Sequence, residues 1–345
     1  WSLDNSLILN WDNVNQNIHP EVLKGFRLTI ARLAEEVSAS YTSNVWNYFR
    51  KYLLETEFYN GGLITSELIL NIKANLSKED EYKLGTIRAL LRNWLSWNFS
   101  GLEQGIEETL DKIVLKGNDK GKAVAHHCPH TGPYTLTEQQ SLLVWAGNAF
   151  TCQLISLEEF AWFYTIYSTA RRSSQIRALR VADLKVKSDS KGLKYELDIP
   201  RAKQRGGKFR EESRSICISE DMYLVLKNLI EHNKKRVGKY VPDLTTEYSN
   251  ELPIFLNENR FKEINSLNQF KDKLKTTPDY FHATKNIVDE LSRSLSRKCD
   301  AISERTSDYI HFTALRCRRT RATNLVRHGI TGVQMAYLMD HSDTQ

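Results

Sequence analysis

A polar break divides this chain into two unlike parts. Gly117-Asn118-Asp119-Lys120-Gly121-Lys122 is punctuated by glycine, and His126-His127-Cys128-Pro129-His130-Thr131-Gly132-Pro133 adds two prolines and another glycine. Such a run continues neither a helix nor a strand, so residues 119–134 are read as a linker between domains at 1–118 and 135–345. The length of 345 residues suits two domains at about 100–200 residues each. Charge divides at the same place. Residues 1–118 carry 12 Lys/Arg against 15 Asp/Glu, whereas residues 119–345 carry 36 against 27. The net +6 therefore comes wholly from the later part, and a basic excess of that kind attracts phosphate backbones.

The first part reads as a small helical bundle. Phe26, Ile30, Leu33, Ala34 and Val37 recur at helical steps after His19-Pro20, as do Val45, Tyr48, Phe49, Tyr52 and Leu53, then Leu84, Ile87, Leu90, Leu91, Trp94 and Leu95. Past the break, Thr137 and Gln140 have the spacing of a capping box that opens a helix. Helical patterns follow through Trp145, Trp162 and Tyr167, and again over Ser173–Leu184. Lys194–Ile199 and Ser213–Ile218 alternate polar and apolar residues, which predicts a β-hairpin. Its tip, residues 201–210, is half Lys or Arg. Helices are expected again over 222–230, 283–297, 320–328 and 331–339. The whole reads as mostly α with a small β-sheet.

Several classes are excluded. With 41% apolar and 26% charged residues, the composition is globular rather than disordered. No apolar run approaches the ~18 residues of a membrane span. No signal peptide is readable after Trp1. Five widely spaced cysteines make no disulfide framework and suit a reducing compartment. The His126/His127/Cys128/His130 cluster offers ligands that zinc or copper favours. Adjacent residues rarely all face one ion, however, and no second cluster completes a tetrahedron, so an exposed polar linker without metal is the expectation.

Three basic clusters remain: Arg171-Arg172, the 201–210 tip, and Arg316/Arg318/Arg319/Arg321. A guanidinium binds two phosphate oxygens with a planar fork and stays charged. No carboxylate cluster of the kind that holds Mg²⁺ and no Gly-x-x-x-x-Gly-Lys-Ser/Thr loop accompanies them. Phosphoryl chemistry on these residues is expected to need no metal or cofactor.

The clusters lie inside ordered motifs that resemble those of the tyrosine recombinases, the phage-integrase family. Thr169-Ala170-Arg171-Arg172-Ser173-Ser174-Gln175-Ile176, continuing to Asp183-Leu184, resembles the segment Thr-Gly-x-Arg-x-x-Glu-Leu-x-x-Leu-x-x-x-Asp. Thr313-Ala314-Leu315-Arg316-Cys317-Arg318-Arg319-Thr320-Arg321-Ala322-Thr323-Asn324-Leu325 resembles Thr-Pro-His-x-x-Arg-x-Thr-x-Ala-Thr-x-Leu. Leu338-Met339-Asp340-His341-Ser342 resembles Leu-x-Gly-His-Ser, twenty-three residues after Arg318 as the family spacing requires. The resemblance covers residues 135–345 firmly and the helical 20–118 region more weakly.

The resemblance implies a helical core-binding domain at 1–118 and a mixed α/β catalytic domain at 135–345. It implies site-specific DNA recombination by the integrase of a mobile element, bacterial or phage-encoded and cytoplasmic. Arg172 and Arg318 would clamp the phosphate, Lys203 would protonate the leaving 5′-oxygen, and His341 would bond a non-bridging oxygen. Arg316 rivals Arg318 and Lys208 rivals Lys203. Arg171, Arg201, Arg205, Lys208, Arg316, Arg319 and Arg321 would grip DNA. Implied partners are double-stranded attachment sites, a homotetramer formed on them and accessory DNA-bending or excision factors, with no membrane.

Three departures stand out. Leu315 occupies the histidine position of the second box, and Gln175 replaces glutamate. The nucleophilic tyrosine is expected about nine residues after His341, past Gln345, and Tyr337 does not match it; the chain is read as stopping short of its nucleophile. Two rivals follow: a non-cutting DNA-binding protein of the same fold, favoured by Leu315, and a helical metal-binding or interaction protein built on residues 126–130.

Overall fold

Pro20 stands at the first position of a helix, where its missing N–H leaves no bond unmade, and the apolar period of the sequence runs on from it. The computed structural model describes residues 7–14, 17–117, 121–190, 192–202 and 209–340. The chain divides into two compact units, 1–120 and 121–345.

The first unit contains α1 (Pro20–Glu36), α2 (Ala39–Phe49), α3 (Ser66–Asn75), α4 (Glu81–Ser96) and α5 (Ile106–Lys112). Ser38 caps α2 and Thr65 caps α3, each accepting from a main-chain N–H three residues on. Phe26, Phe49 and Trp94 stack at the centre, with Phe26–Phe49 centroids at 4.3 Å and Phe49–Trp94 at 5.7 Å. Gly25 lets α1 approach this cluster: a Cβ there would lie 2.3 Å from the Trp94 ring.

The second unit opens with a turn of helix, α6 (Lys122–Ala125), followed by α7 (Leu136–Thr151) and α8 (Leu157–Thr169). The capping box of α7 is Thr135 with Glu138, two residues before the pair read from the sequence. Both pairs satisfy the pattern, but Thr137 and Gln140 are exposed, whereas Glu138 is fully buried. Its carboxylate also accepts from Arg305 Nη2 at 2.6 Å and Arg316 Nη2 at 3.3 Å. The 121–134 stretch belongs to this unit: Arg316 Nε donates to Gly132 O at 3.1 Å, and the buried Tyr134 donates its hydroxyl to His311 O at 2.8 Å.

Helix α8 buries Ala161, Trp162, Phe163, Thr165 and Ile166 on one side, and Phe160, Tyr164 and Tyr167 on the other pack against the same core. A helix apolar all round belongs in the interior. It packs against α7, α10 (Glu220–Val237), α14 (Lys285–Lys298) and α15 (Ala314–Arg327). The helix expected over 173–184 is only one turn, α9 (Ser173–Ile176). Beyond it the backbone finds distant partners: Ile254 N donates to Leu179 O, and Val181 N to Leu252 O, both at 2.9 Å. Asp183 then caps Arg180 N at 2.7 Å.

Strands β1 (Leu184–Asp189), β2 (Gly192–Pro200) and β3 (Ser213–Ile218) form an antiparallel sheet in that order, with Leu197 opposite both Leu184 and Ile216. Sequence reading missed β1 because the helix expected over Ser173–Leu184 takes in its first apolar residue, Leu184, and leaves only Val186 beyond it. Three short helices, α11 (Thr246–Ser249), α12 (Glu258–Phe261) and α13 (Leu267–Thr276), accompany a separate apolar cluster of Val241, Phe261, Phe270 and Phe281. Helix α15 starts six residues earlier than expected, capped by Thr313, and α16 spans Gly332–Leu338.

Burial alone would push the Glu138 carboxyl up; hydrogen bonds from Arg305 and Ser303 outweigh it and hold the group below its ordinary value. The folded chain therefore binds fewer protons here than the unfolded chain. The resulting stability is full above about pH 5 and is lost as pH falls through the folded value. Glu138→Ala strands Arg316 in the interior without an anion. It is expected to cost about 3–5 kcal/mol in urea unfolding at neutral pH and to flatten the acid limb of the stability profile.

Candidate functional site

Helix α8 ends at Ala170, which takes a left-handed conformation with φ +51°. This turn directs Arg171 and Arg172 out of the buried helix. Arg172 then begins α9, and its N–H donates to Gln175 Oε1 at 3.1 Å. Arg318 arrives separately, from the middle of α15. The two guanidinium groups meet over one short turn. Arg172 Nη1 donates to Asp340 O at 3.1 Å, and Arg318 Nη2 donates to Met339 O. Arg318 Nη1 also donates to Ala170 O at 3.0 Å, which closes the ring of contacts back to α8.

Like charges crowd this ring. Burial, with Arg172 and Arg171 adding to it, pushes Arg318 down to about 10. Burial also lowers Arg172. Arg171 is 5% exposed, and its Nε and Nη1 have no hydrogen-bond partner among the described residues. Burial lowers it as well, with Asp340 opposing and Arg214, Arg172 and Arg321 adding to the effect. Partly desolvated guanidinium groups with unused N–H capacity constitute a site for an oxyanion.

The remaining residues singled out in the sequence divide. Arg321 is exposed, and its charge acts on Arg171. Arg319 is half-exposed and donates to Thr131 O. Arg201 is held between two carboxylates, Asp340 Oδ1 at 2.9 Å and Glu212 Oε2 at 2.7 Å, so its charge is largely neutralised. Arg316 reaches no surface. It is 2% exposed, stacks on Tyr134 at 4.0 Å and donates to Gly132 O, His311 O and Glu138. The sequence offered Arg316 as a DNA contact and as a rival to Arg318; its burial and complete set of partners give it an internal role instead. Lys203, Arg205, Lys208 and His341 lie outside the described residues. Leu315 is 56% exposed. Among the described residues, no three His, Cys, Asp or Glu side chains come together as metal ligands.

Sequence reading missed two participants. Arg214 on β3 lies 4.0 Å from the Tyr337 ring and donates to Tyr337 O, adding charge near Arg171. Its place in a strand of alternating exposure was the available signal. Asp340 is buried within the ring of arginines, and only its position in the third motif pointed to it.

No protein-family model matches the sequence, and no curated protein matches it. Solved structures do. The XerH site-specific recombinase bound to palindromic difH substrate, a post-cleavage complex, is similar with a TM-score of 0.53 and 12% identity, over 94% of this chain and 78% of that one. A Tn1549 transposon integrase in complex with transposon right-end DNA is similar with a TM-score of 0.51 and 15% identity, over 94% and 92%. The same integrase with a circular-intermediate DNA gives 0.51 and 16%, over 94% and 92%. The chain has the tyrosine-recombinase fold, mostly helical with a small three-stranded antiparallel sheet.

An arginine whose buried nitrogens find no partner among the described residues costs stability. Arg171→Met is expected to stabilise the chain by about 1–2 kcal/mol in thermal unfolding. It is also expected to reduce the further stabilisation that wild type gains from added inorganic phosphate.

Proposed function

We propose that this chain is the DNA-binding and catalytic part of a site-specific recombinase, the integrase of a mobile element, which cuts and rejoins duplex DNA through a 3′-phosphotyrosyl intermediate. The observation that carries the reading is the convergence of Arg172 and Arg318, from two helices far apart in sequence, on the carbonyls of Met339 and Asp340. The shared fold supports it.

On this reading a tyrosine attacks the scissile phosphorus through its hydroxyl oxygen, and its proton passes to solvent. The bond to the 5′-oxygen breaks, and Lys203 gives that oxygen its proton. Arg172 and Arg318 neutralise charge growing on the non-bridging oxygens, and His341 bonds one of them. A 5′-hydroxyl from another strand then attacks the phosphotyrosyl link and releases the tyrosine. The covalent link conserves the phosphodiester energy, so no nucleotide is consumed. The tyrosine would follow His341 by about nine residues, outside positions 1–345. The helical unit at 1–118 would be the core-binding domain and residues 135–345 the catalytic domain. Arg171, Arg319 and Arg321 would face the duplex, with Arg205 and Lys208 of the hairpin tip. Four copies would assemble on two attachment sites, with accessory bending or excision factors, in a bacterial or phage-infected cytoplasm. No helix among the described residues is long and apolar enough to cross a membrane.

The test joins the chain to the natural sequence that follows Gln345 and incubates it with a nicked duplex carrying the element's end. A denaturant-resistant protein–DNA adduct is expected. Arg172→Ala and Arg318→Ala should each slow its formation by about 10²–10³-fold. Tight DNA binding with no adduct would overturn the cutting reading and favour a binding protein of the same fold, the outcome to which the exposed Leu315 points.

A further inference from the structure

One buried carboxylate in the ring of arginines has no part in the chemistry just proposed. Asp340 is 3% exposed and left-handed, with φ +52°. The motif it resembles has glycine there, the residue that adopts this backbone freely. An aspartate at this φ carries a steric cost, which its side-chain contacts must offset.

Those contacts are specific. Asp340 Oδ1 accepts from Arg201 Nε at 2.9 Å, and Oδ2 accepts from Gln175 Nε2 at 2.8 Å. Gln175 is itself 1% exposed. Its Nε2 also donates to Pro200 O at 3.0 Å, and its Oε1 accepts the Arg172 N–H at 3.1 Å. Gln175 is a second departure from the motifs, which have glutamate at this position. These two departures meet in one hydrogen bond.

The chemistry couples them. An amide at 175 has a donor for Asp340 and an acceptor for Arg172. A glutamate there would set two buried carboxylates 2.8 Å apart and leave Pro200 O without its donor. A glycine at 340 alone would take from Arg201 Nε its carboxylate partner and from Gln175 one of its acceptors.

We propose that Asp340 is a positioning residue of this site. It supplies from the turn before His341 the negative charge that the resembled motifs carry on position 175. Through that charge it ties three pieces together: the start of α9 at Gln175, the entry to the basic hairpin at Arg201, and the 339–340 turn. The main-chain oxygens of that turn hold Arg172 and Arg318, so its placement sets where both guanidinium groups point. Its attraction for Arg171, Arg172 and Arg318 acts in the same sense. The pairing stands on geometry, while the consequence for catalysis rests on the recombinase reading.

The test compares wild type with Asp340→Asn, Asp340→Gly, Gln175→Glu and the double variant Gln175→Glu/Asp340→Gly, all in the chain extended by its natural sequence. Asparagine tolerates the left-handed backbone, so Asp340→Asn removes charge with little change of shape. It is expected to slow adduct formation at saturating DNA by about 10–100-fold while DNA affinity changes little. Gln175→Glu should lower both the adduct rate and the melting temperature. The double variant should recover both, to within a few-fold of the wild-type rate. Additive effects of the two substitutions on melting and rate, or an unchanged rate in Asp340→Asn, would overturn the proposal. If wild type forms no adduct, the recombinase reading falls, and the melting temperatures alone decide the pairing: recovery in the double variant upholds it and additivity overturns it.

Discussion

Two guanidinium groups can be held side by side only if something other than their charges binds them. Unit charges 4 Å apart repel by about 4 kcal/mol at an effective dielectric near 20. Here the binding comes from main-chain oxygens: Ala170 and Met339 for Arg318, Asp340 for Arg172. The carbonyl dipoles hold the arginines in place without neutralising them, and Arg318 is left with its proton affinity reduced to about 10. A carboxylate at each arginine would have given a quieter interior and no site. On the function proposed above, the arrangement would take an anion that brings its own charge, and a phosphodiester is such an anion.

The rest of the second unit fixes the distance across which that anion would be gripped. Helix α8 is enclosed by four other helices, so the turn at Ala170 has no freedom to drift. On the other side α15 is locked by contacts to α7 and to the chain just before it. Tyr134 N donates to Thr320 Oγ1 at 2.8 Å, and Arg316 joins Glu138. Arg316 and Arg318 divide the work of one helix. One ties α15 into the interior so that the other can stay half-exposed at a fixed place.

Much of this was legible in the sequence, and what was not has a common cause. The apolar period located α1 and α4, and alternation located β2 and β3, because these elements bury one face that composition records directly. The motif resemblance assigns the clamp to Arg318 with Arg316 as its rival, but the local pattern does not show which of the two turns inward. Residues two apart on a helix point about 200° away from each other, so one faces in and one faces out. Which is which depends on Glu138 and Tyr134, nearly two hundred positions away in the chain. The capping box at Thr135 rather than Thr137 was decided by the same buried carboxylate. The helix predicted over 173–184 gave way because Leu179 and Val181 find backbone partners at 252–254. Each failure is a local pattern overruled by a partner remote in sequence.

The left-handed residues carry this argument furthest. Ala170 and Asp340 stand at the two glycine positions of the resembled motifs, and both keep the backbone that glycine would adopt, at φ +51° and +52°. For an L-residue the conformation costs roughly 1 kcal/mol or more. Ala170 has no polar side chain to recover that cost; its carbonyl, turned toward Arg318, is what the conformation secures. Asp340 recovers it through two hydrogen bonds to its carboxylate. A motif glycine therefore encodes a direction of the chain rather than a residue, and the direction survives when the residue changes. The functional geometry of this chain lies in those two turns, which is why arginines so distant in sequence arrive at the same pair of carbonyls.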